Sequence, residues 1–173
     1  EGSSGTELWV GLASSDNDES YIAYSDDSGE TWDRRYATIP EAISWIAVQE
    51  DTLLVAGESQ VYRHDGQEFV PLAELDSPLS AEVLTDGTLV VGQMSGISRS
   101  TDSGSSWDDV SDAIIDLDQT SLLIHPECPG LVFSGTQCEM GGHVSYDWGQ
   151  TWSWISTYMH YVMNWVTNPS RPE

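Results

Sequence analysis

An eight-residue pattern, Ser-x-Asp-x-Gly-x-(Thr/Ser)-Trp, occurs three times in this chain, at Ser25–Trp32, Ser100–Trp107 and Ser145–Trp152. An apolar run precedes each copy: Tyr21-Ile22-Ala23-Tyr24, Gly96-Ile97-Ser98-Arg99 and Gly142-His143-Val144. These residue types at this spacing describe a tight β-hairpin connection. Headed by Ser25, Ser100 and Ser145, the turns place Asp27, Asp102 and Asp147 where a carboxylate can fold back onto nearby backbone N–H groups. Gly29, Gly104 and Gly149 supply a positive φ that other residues adopt at a cost. Thr31, Ser106 and Thr151 begin the return strand. Trp32, Trp107 and Trp152 then bury a large ring against their own sheet, worth about 1.5–3 kcal/mol each. Turn chemistry accounts for every member of the octet, so these Asp residues are read as turn formers rather than catalytic or metal-binding groups.

A fourth, degenerate copy is centred on Asp65-Gly66, a dipeptide that is itself a strong hairpin signal. Phe69 stands in place of the Trp, with one residue lost between Asp and the aromatic position. The four Asp fall at 27, 65, 102 and 147, which gives spacings of 38, 37 and 45 residues (65−27, 102−65, 147−102). Strand-like runs recur between them: Leu8–Leu12, Ile43–Val48, Leu53–Gly57, Gln60–Arg63, Ala81–Leu84, Thr88–Gly92, Ser121–Ile124, Leu131–Thr136 after a turn at Pro129-Gly130, and Tyr161–Thr167. The period matches the roughly 40–45 residues of a four-stranded propeller blade. No segment sustains a 3.6-residue periodicity with caps. The fold class is therefore all-β: a single domain over residues 1–173, a β-propeller of four-stranded antiparallel blades with about four blades present.

The octets resemble the Asp-box, or BNR, repeat of sialidases, sortilin-type receptors, glycoside hydrolases that degrade oligoxyloglucan and propeller-type photosystem II assembly factors. The resemblance covers nearly the whole chain. It implies that each box joins the third and fourth strands of a blade, on the rim away from the ligand face. It does not choose between enzyme and non-enzyme, because the family contains both.

With blade strands named A (innermost) to D, the chain begins at a B strand, Leu8–Leu12, and ends with an A strand, Tyr161–Thr167. Asn168-Pro169-Ser170-Arg171-Pro172 matches the earlier A–B connection His125-Pro126-Glu127-Cys128-Pro129. Two arrangements follow. The last A strand pairs with the first B strand and closes a four-bladed ring, or the chain is part of a larger propeller whose remaining blades come from a longer chain or another subunit. Four blades are the lower edge of the propeller range, and Asp-box propellers generally have six or more, which favours the larger assembly.

Asp and Glu total 29 against 5 Lys and Arg, for a net charge of −24. All five cations are arginines (Arg34, Arg35, Arg63, Arg99, Arg171), and there is no lysine. Such a chain lacks the basic footprint that nucleic acid needs and is repelled by anionic membrane surfaces. No run approaches about 18 apolar residues, so no membrane span is read. A folded domain this acidic repels itself, and at molar salt the screening length falls to about 3 Å. The missing lysine favours a halophilic, salt-adapted protein over an ordinary acidic surface. No signal segment is visible, although the chain starts at Glu1 without Met; an extracellular or cell-surface location is slightly favoured. Cys128 and Cys138 flank a strand of six residues that spans about 20 Å, too far for a disulfide, whose Cα atoms lie within about 7 Å.

On the ligand face of such a propeller lie the D–A loops (37–44, 72–81, 110–120, 156–160) and the B–C loops (14–20, 58–59, 93–95, 137–141). The last repeat is richest. His143 beside one loop, and Tyr158, His160 and Tyr161 at another, could form a platform for a sugar or peptide, although ordinary blade packing is the favoured reading of them. A Cys138, Glu139, Met140 and His143 metal site matches no recognised ligand spacing. Asp16, Asp18 and Glu19 read as a solvated charge run. No metal, cofactor or catalytic residue is expected. By resemblance, a sialidase would need three arginines converging on a carboxylate, for which the planar guanidinium is suited. Arg63 and Arg99 stand one place out of register and so on opposite faces of their blades, and Arg34 and Arg35 lie at an outer edge. Xyloglucan-cleaving relatives hold their acids between two propellers, and this chain has at most one. The reading is a non-catalytic binding or scaffold propeller for a protein or carbohydrate partner; the alternative is a fragment of a sialidase-like or other glycoside hydrolase.

Overall fold

The computed structural model describes residues 6–13, 20–33, 39–49, 52–114, 118–136 and 141–155. These residues form strands and no helix. Strands β1 (Leu8–Ala13) and β2 (Ser20–Ser25) pair antiparallel, and β2 makes isolated bridges from Tyr24 to Asp33 and from Ser20 to Ile39. Three four-stranded meanders follow. The second blade is β3 (Trp45–Gln49), β4 (Thr52–Ala56), β5 (Gln60–His64) and β6 (Phe69–Glu74). The third is β7 (Pro78–Val83), β8 (Leu89–Gln93), β9 (Gly96–Ser100) and β10 (Asp108–Asp109). The fourth is β11 (Gln119–His125), β12 (Cys128–Thr136), β13 (Gly142–Ser145) and β14 (Ser153–Ile155). β1 and β2 are the B and C strands of the first blade. This is a β-propeller: meander blades stand side by side, and their inner strands β3, β7 and β11 are neighbours.

Each interior cluster lies between two blades. Ile22 and Ile39 of the first blade pack with Leu53, Val55 and Tyr62 of the second. Leu54, Ala56 and Val61 meet Ala81, Leu89 and Val91 of the third. Leu84, Val90 and Ile97 meet Leu122, Val132 and Trp152 of the fourth. Strand alternation creates this pattern, since successive side chains face opposite neighbours. Each buried Leu, Ile or Val contributes about 1.5–3 kcal/mol. Near the axis, serine hydroxyls tie the inner strands together: Ser44 Oγ donates to the Pro78 carbonyl (2.9 Å) and Ser80 Oγ to the Gln119 carbonyl (3.0 Å). Gly92 is required beside this second rung, because a Cβ there would run into Gln119 of β11.

One turn differs from expectation. His125 pairs with Cys128, so the turn residues are Pro126-Glu127, and Pro129-Gly130 already belong to β12. The Glu127 N–H donates to His125 Nδ1 (3.3 Å), which satisfies the turn locally. Cys128 is an exposed free thiol; Cys138 lies outside the described residues. So does Tyr161–Thr167, whose pairing with Leu8–Leu12 would close a four-bladed ring.

Candidate functional site

The three octets have one hydrogen-bond scheme. Ser25 Oγ donates to Asp27 Oδ1 (2.8 Å) and accepts the Gly29 N–H (2.8 Å). Asp27 Oδ1 also accepts the Thr31 N–H (2.9 Å), and Oδ2 accepts the Thr31 hydroxyl (2.6 Å). Ser100, Asp102 and Ser106 repeat these contacts, as do Ser145, Asp147 and Thr151. Hydrogen bonds to the ionised form hold a carboxylate acidic. The Thr31 hydroxyl and N–H, then Ser25, lower Asp27 to about 2. Ser106 and Ser100 do the same for Asp102, also to about 2. At Asp147 burial opposes the shift, but the bonds from Thr151 and Ser145 prevail and its pKa is lowered.

Gly29, Gly104 and Gly149 have φ of 91°, 86° and 74°. The residue before each is also left-handed: Ser28 at 62°, Ser103 at 60° and Trp148 at 62°. Sequence reasoning missed this second position, because Ser and Trp carry no composition signal for positive φ. Thr31, Ser106 and Thr151 do not begin the return strand. Their side chains and N–H groups are held by the Asp, and regular pairing resumes at Asp108 and Ser153 in the last two blades. The degenerate turn keeps part of the scheme: Asp65 Oδ1 accepts N–H bonds from Gln67 (2.9 Å) and Glu68 (3.0 Å), which lower its pKa.

Each indole N–H donates to the carbonyl of its box glycine at 3.1 Å. The rings do not pack on their own sheet alone. Trp107 joins the cluster shared with the second blade and Trp152 the one shared with the third, and Phe69 likewise packs toward the first blade. The box turn is thus a contact element between blades. A Cβ on Gly104 would lie 2.5 Å from a methyl of Leu72 in the second blade, and one on Gly149 would lie 3.0 Å from Val90 in the third.

The arginines have the same role. Arg63 Nη1 donates to the Ser103 carbonyl (3.0 Å) and Arg99 Nε to the Trp148 carbonyl (2.9 Å). Both acceptors are the left-handed residue of the next blade's box. Arg63 pairs with Leu54 and Arg99 with Val90, equivalent positions of the B strand, so the two arginines share one face. The expectation of opposite faces fails because the degenerate turn lost a residue before Asp65 as well as after it. Arg34, Arg35 and Arg171 lie outside the described residues.

At the loop end, Glu41 is held by three hydrogen bonds. Its Oε1 accepts the Tyr62 hydroxyl (2.5 Å), and its Oε2 accepts the Ser59 N–H (2.7 Å) and hydroxyl (3.1 Å). Burial, then Glu41, raise the Tyr62 pKa. In the third blade, Gln93 bridges the Asp76 N–H (2.9 Å) and Ser98 Oγ (2.6 Å), and Met94 is exposed beside it. His143 is fully buried in β13 between β12 and β14, so it does not offer its ring to a ligand from solvent. Tyr158, His160 and Tyr161 lie outside the described residues, as do Cys138, Glu139, Met140, Asp16, Asp18 and Glu19. Among the described residues, no group of three or more His, Cys, Asp or Glu is placed to hold a metal ion, and no helix is long and apolar enough to cross a membrane. A groove of about 350 Å³ runs beside Gly11, Ile43, Ser44, Trp45 and Ile46, where the first blade meets β3. Glu82 on β7 is partly buried, and desolvation pushes its pKa up to about 7.

Solved structures show the same architecture. A GH74 xyloglucanase from Xanthomonas campestris superposes with TM-score 0.59 at 16% identity, over 87% of this chain and 32% of that one. YCF48 bound to D1 peptide gives 0.57 at 17% identity, over 84% of this chain and 56% of that one. The extracellular domain of a one-component system from B. thetaiotaomicron gives 0.62 at 16% identity, over 88% and 22%. This chain therefore spans from about a fifth to just over half the length of these proteins. No known family profile matches the sequence, and no curated protein matches it. At these identities the likeness is one of fold: an all-β propeller of four-stranded antiparallel blades.

Proposed function

We propose that the chain is part of an Asp-box propeller that serves as a non-catalytic binding or scaffold module, with its loop end contacting a protein or glycan partner. One observation carries this reading: among the described residues, both arginines and the three octet carboxylates are committed to architecture. Arg63 and Arg99 clip neighbouring blades, and Asp27, Asp102 and Asp147 close turns with both carboxylate oxygens. A structural neighbour bound to a peptide lends the protein-partner form some support. The runner-up is a fragment of a glycoside hydrolase, favoured by the likeness to the much longer xyloglucanase. An extracellular location accords with the bacterial extracellular domain among the neighbours, and the charge of −24 with no lysine accords with a salt-rich setting.

The test assays the 173-residue chain in 2 M KCl for hydrolysis of xyloglucan oligosaccharides and sialosides, and for binding to glycan and peptide arrays. Saturable binding without turnover, unaffected by Asp102→Asn, is the expected result. Turnover of either substrate class that survives repurification would replace the binding reading with the glycosidase one.

A further inference from the structure

Blades are asymmetric. The face turned to the preceding blade carries the box turn and alternate residues of the B strand. In the second and third blades, the face turned to the following blade carries a C-strand arginine. Aligned on the box serines, Leu8 and Val10 of β1 correspond to Leu89 and Val91 of β8, and Leu8 to Val132 of β12. Leu89, Val91 and Val132 are buried beneath the preceding blade. Leu8, Val10 and Leu12 are 37%, 38% and 48% exposed, and Trp32 is 44% exposed whereas its counterpart Trp152 is 4% exposed. One whole apolar face of the first blade thus lies open among the described residues.

The two complete interfaces specify what covers such a face. Wherever a full octet is covered, the covering blade supplies an arginine to the left-handed carbonyl: Arg63 to Ser103, and Arg99 to Trp148. It also sets an aliphatic side chain against the box glycine, Leu72 at Gly104 and Val90 at Gly149. The second blade, whose turn is degenerate, is preceded by Tyr24 at the arginine position, where the ring packs on Trp9 at 4.5 Å. The first blade carries a full octet, with Ser28 left-handed at φ 62° and Gly29 at 91°. Its cover therefore needs an arginine. The fourth blade has Val144 at that position, paired with Phe133 as Arg99 is with Val90, so neither this chain's own last blade nor that of a second copy fits.

We propose that the open face of the first blade docks a further propeller blade outside these 173 residues, one whose C strand donates an arginine guanidinium to the Ser28 carbonyl and whose aliphatic side chain covers Gly29. This rests on the reading of the chain as part of a larger propeller and adds the chemistry of the joint.

The experiment builds the missing neighbour from the chain's own parts. A duplicate of residues 45–88 is joined directly to Leu8, so that the duplicated second blade precedes the first and the duplicated β7 becomes its inner strand. Hydroxyl-radical footprinting with mass spectrometry reads oxidation of Trp32, Trp107 and Trp152 separately, and sedimentation velocity reads the association state of the unfused chain. The expected result is a monomeric unfused chain with Trp32 readily oxidised, and a several-fold fall in Trp32 oxidation in the fusion. Arg63→Ala in the duplicate alone should restore much of that oxidation and leave Trp107 and Trp152 unchanged. If the fusion protects Trp32 but Arg63→Ala changes nothing, the arginine joint is wrong while the larger propeller stands. If Trp32 is already protected in the monomeric unfused chain, the chain covers its own face and both readings fall. Protection in a stable dimer would make a second copy the occupant and overturn the proposal, as would a folded fusion in which Trp32 stays as reactive as before.

Discussion

Gly104→Ala tests whether the box turns join blades or merely reverse the chain. Gly104 has φ +86°, and an added Cβ would meet Leu72 side-chain carbons at 2.5, 3.0 and 3.1 Å. Gly66 supplies the control: its φ is +101°, and nothing lies within 4 Å of an added Cβ. Placing a side chain in the left-handed region costs about 1–2 kcal/mol, which is the whole penalty expected for Gly66→Ala. Overpacking against Leu72 adds about 1–3 kcal/mol, so Gly104→Ala should lose roughly 2–5 kcal/mol in all. For a domain of this size 1 kcal/mol moves Tm by about 2–4 °C, and the two variants should separate clearly. Trimming the partner should recover the packing component: the Gly104→Ala/Leu72→Ala double variant should show a favourable coupling of about 1–3 kcal/mol relative to the sum of the singles. Urea denaturation followed by Trp fluorescence in 2 M KCl measures the parent chain, the three single variants including Leu72→Ala, and the double variant. A Gly104→Ala no costlier than Gly66→Ala, or a double variant that is simply additive, would refute the claim that the turn packs on the neighbouring blade.

Three further outcomes follow from charge. With 29 acids against 5 arginines, melting temperature should rise markedly between about 0.1 M and a few molar KCl, as screening and salt exclusion act together; a flat or falling curve would assign the acidity to something other than salt adaptation. Asp27 and Asp102 titrate at about 2 when folded, against 3.8 as unfolded reference. Their contribution is therefore complete above about pH 4 and lost as pH falls toward 2; Asp102→Asn should flatten the acid limb of a stability–pH profile, and an unchanged limb would contradict the turn's electrostatics. Glu82 is the opposite case, raised to about 7 from 4.5. The folded chain keeps a proton there that the unfolded chain releases, so stability declines as pH rises from about 4.5 through 7. Glu82→Gln should remove that decline and be more stable at pH 8 by on the order of 3 kcal/mol, and equal stabilities at pH 8 would overturn the assignment.

The architecture was legible because the octet writes it locally. Ser, Asp, Gly and Thr or Ser at fixed offsets satisfy one another within eight residues, so the turn can be read without knowing what surrounds it. What surrounds it was less legible. The Trp rings were expected on their own sheet, yet Trp107 and Trp152 pack across to another blade, and contacts between blades leave no local spacing to read. Counting from Asp puts Arg63 and Arg99 on opposite faces. The count failed because a shortened turn shifts the register, and only strand pairing restores it. His143 beside a loop suggested access from solvent, but the loop–strand boundary decides that, and it lies inside the strand. Tyr24 in place of an arginine becomes informative only when the degenerate turn of the next blade is seen to lack the octet.

The serine rungs near the axis make the assembly behave as a one-dimensional chain of units. Ser44 and Ser80 each couple one inner strand only to the next, so cooperativity passes between nearest neighbours. A break in such a chain spreads from whichever unit has one partner instead of two. With its leading face open among the described residues, the first blade is one such unit. Its amides in β1 and β2 should exchange with deuterium ahead of those in β8 and β9, which are covered from both sides.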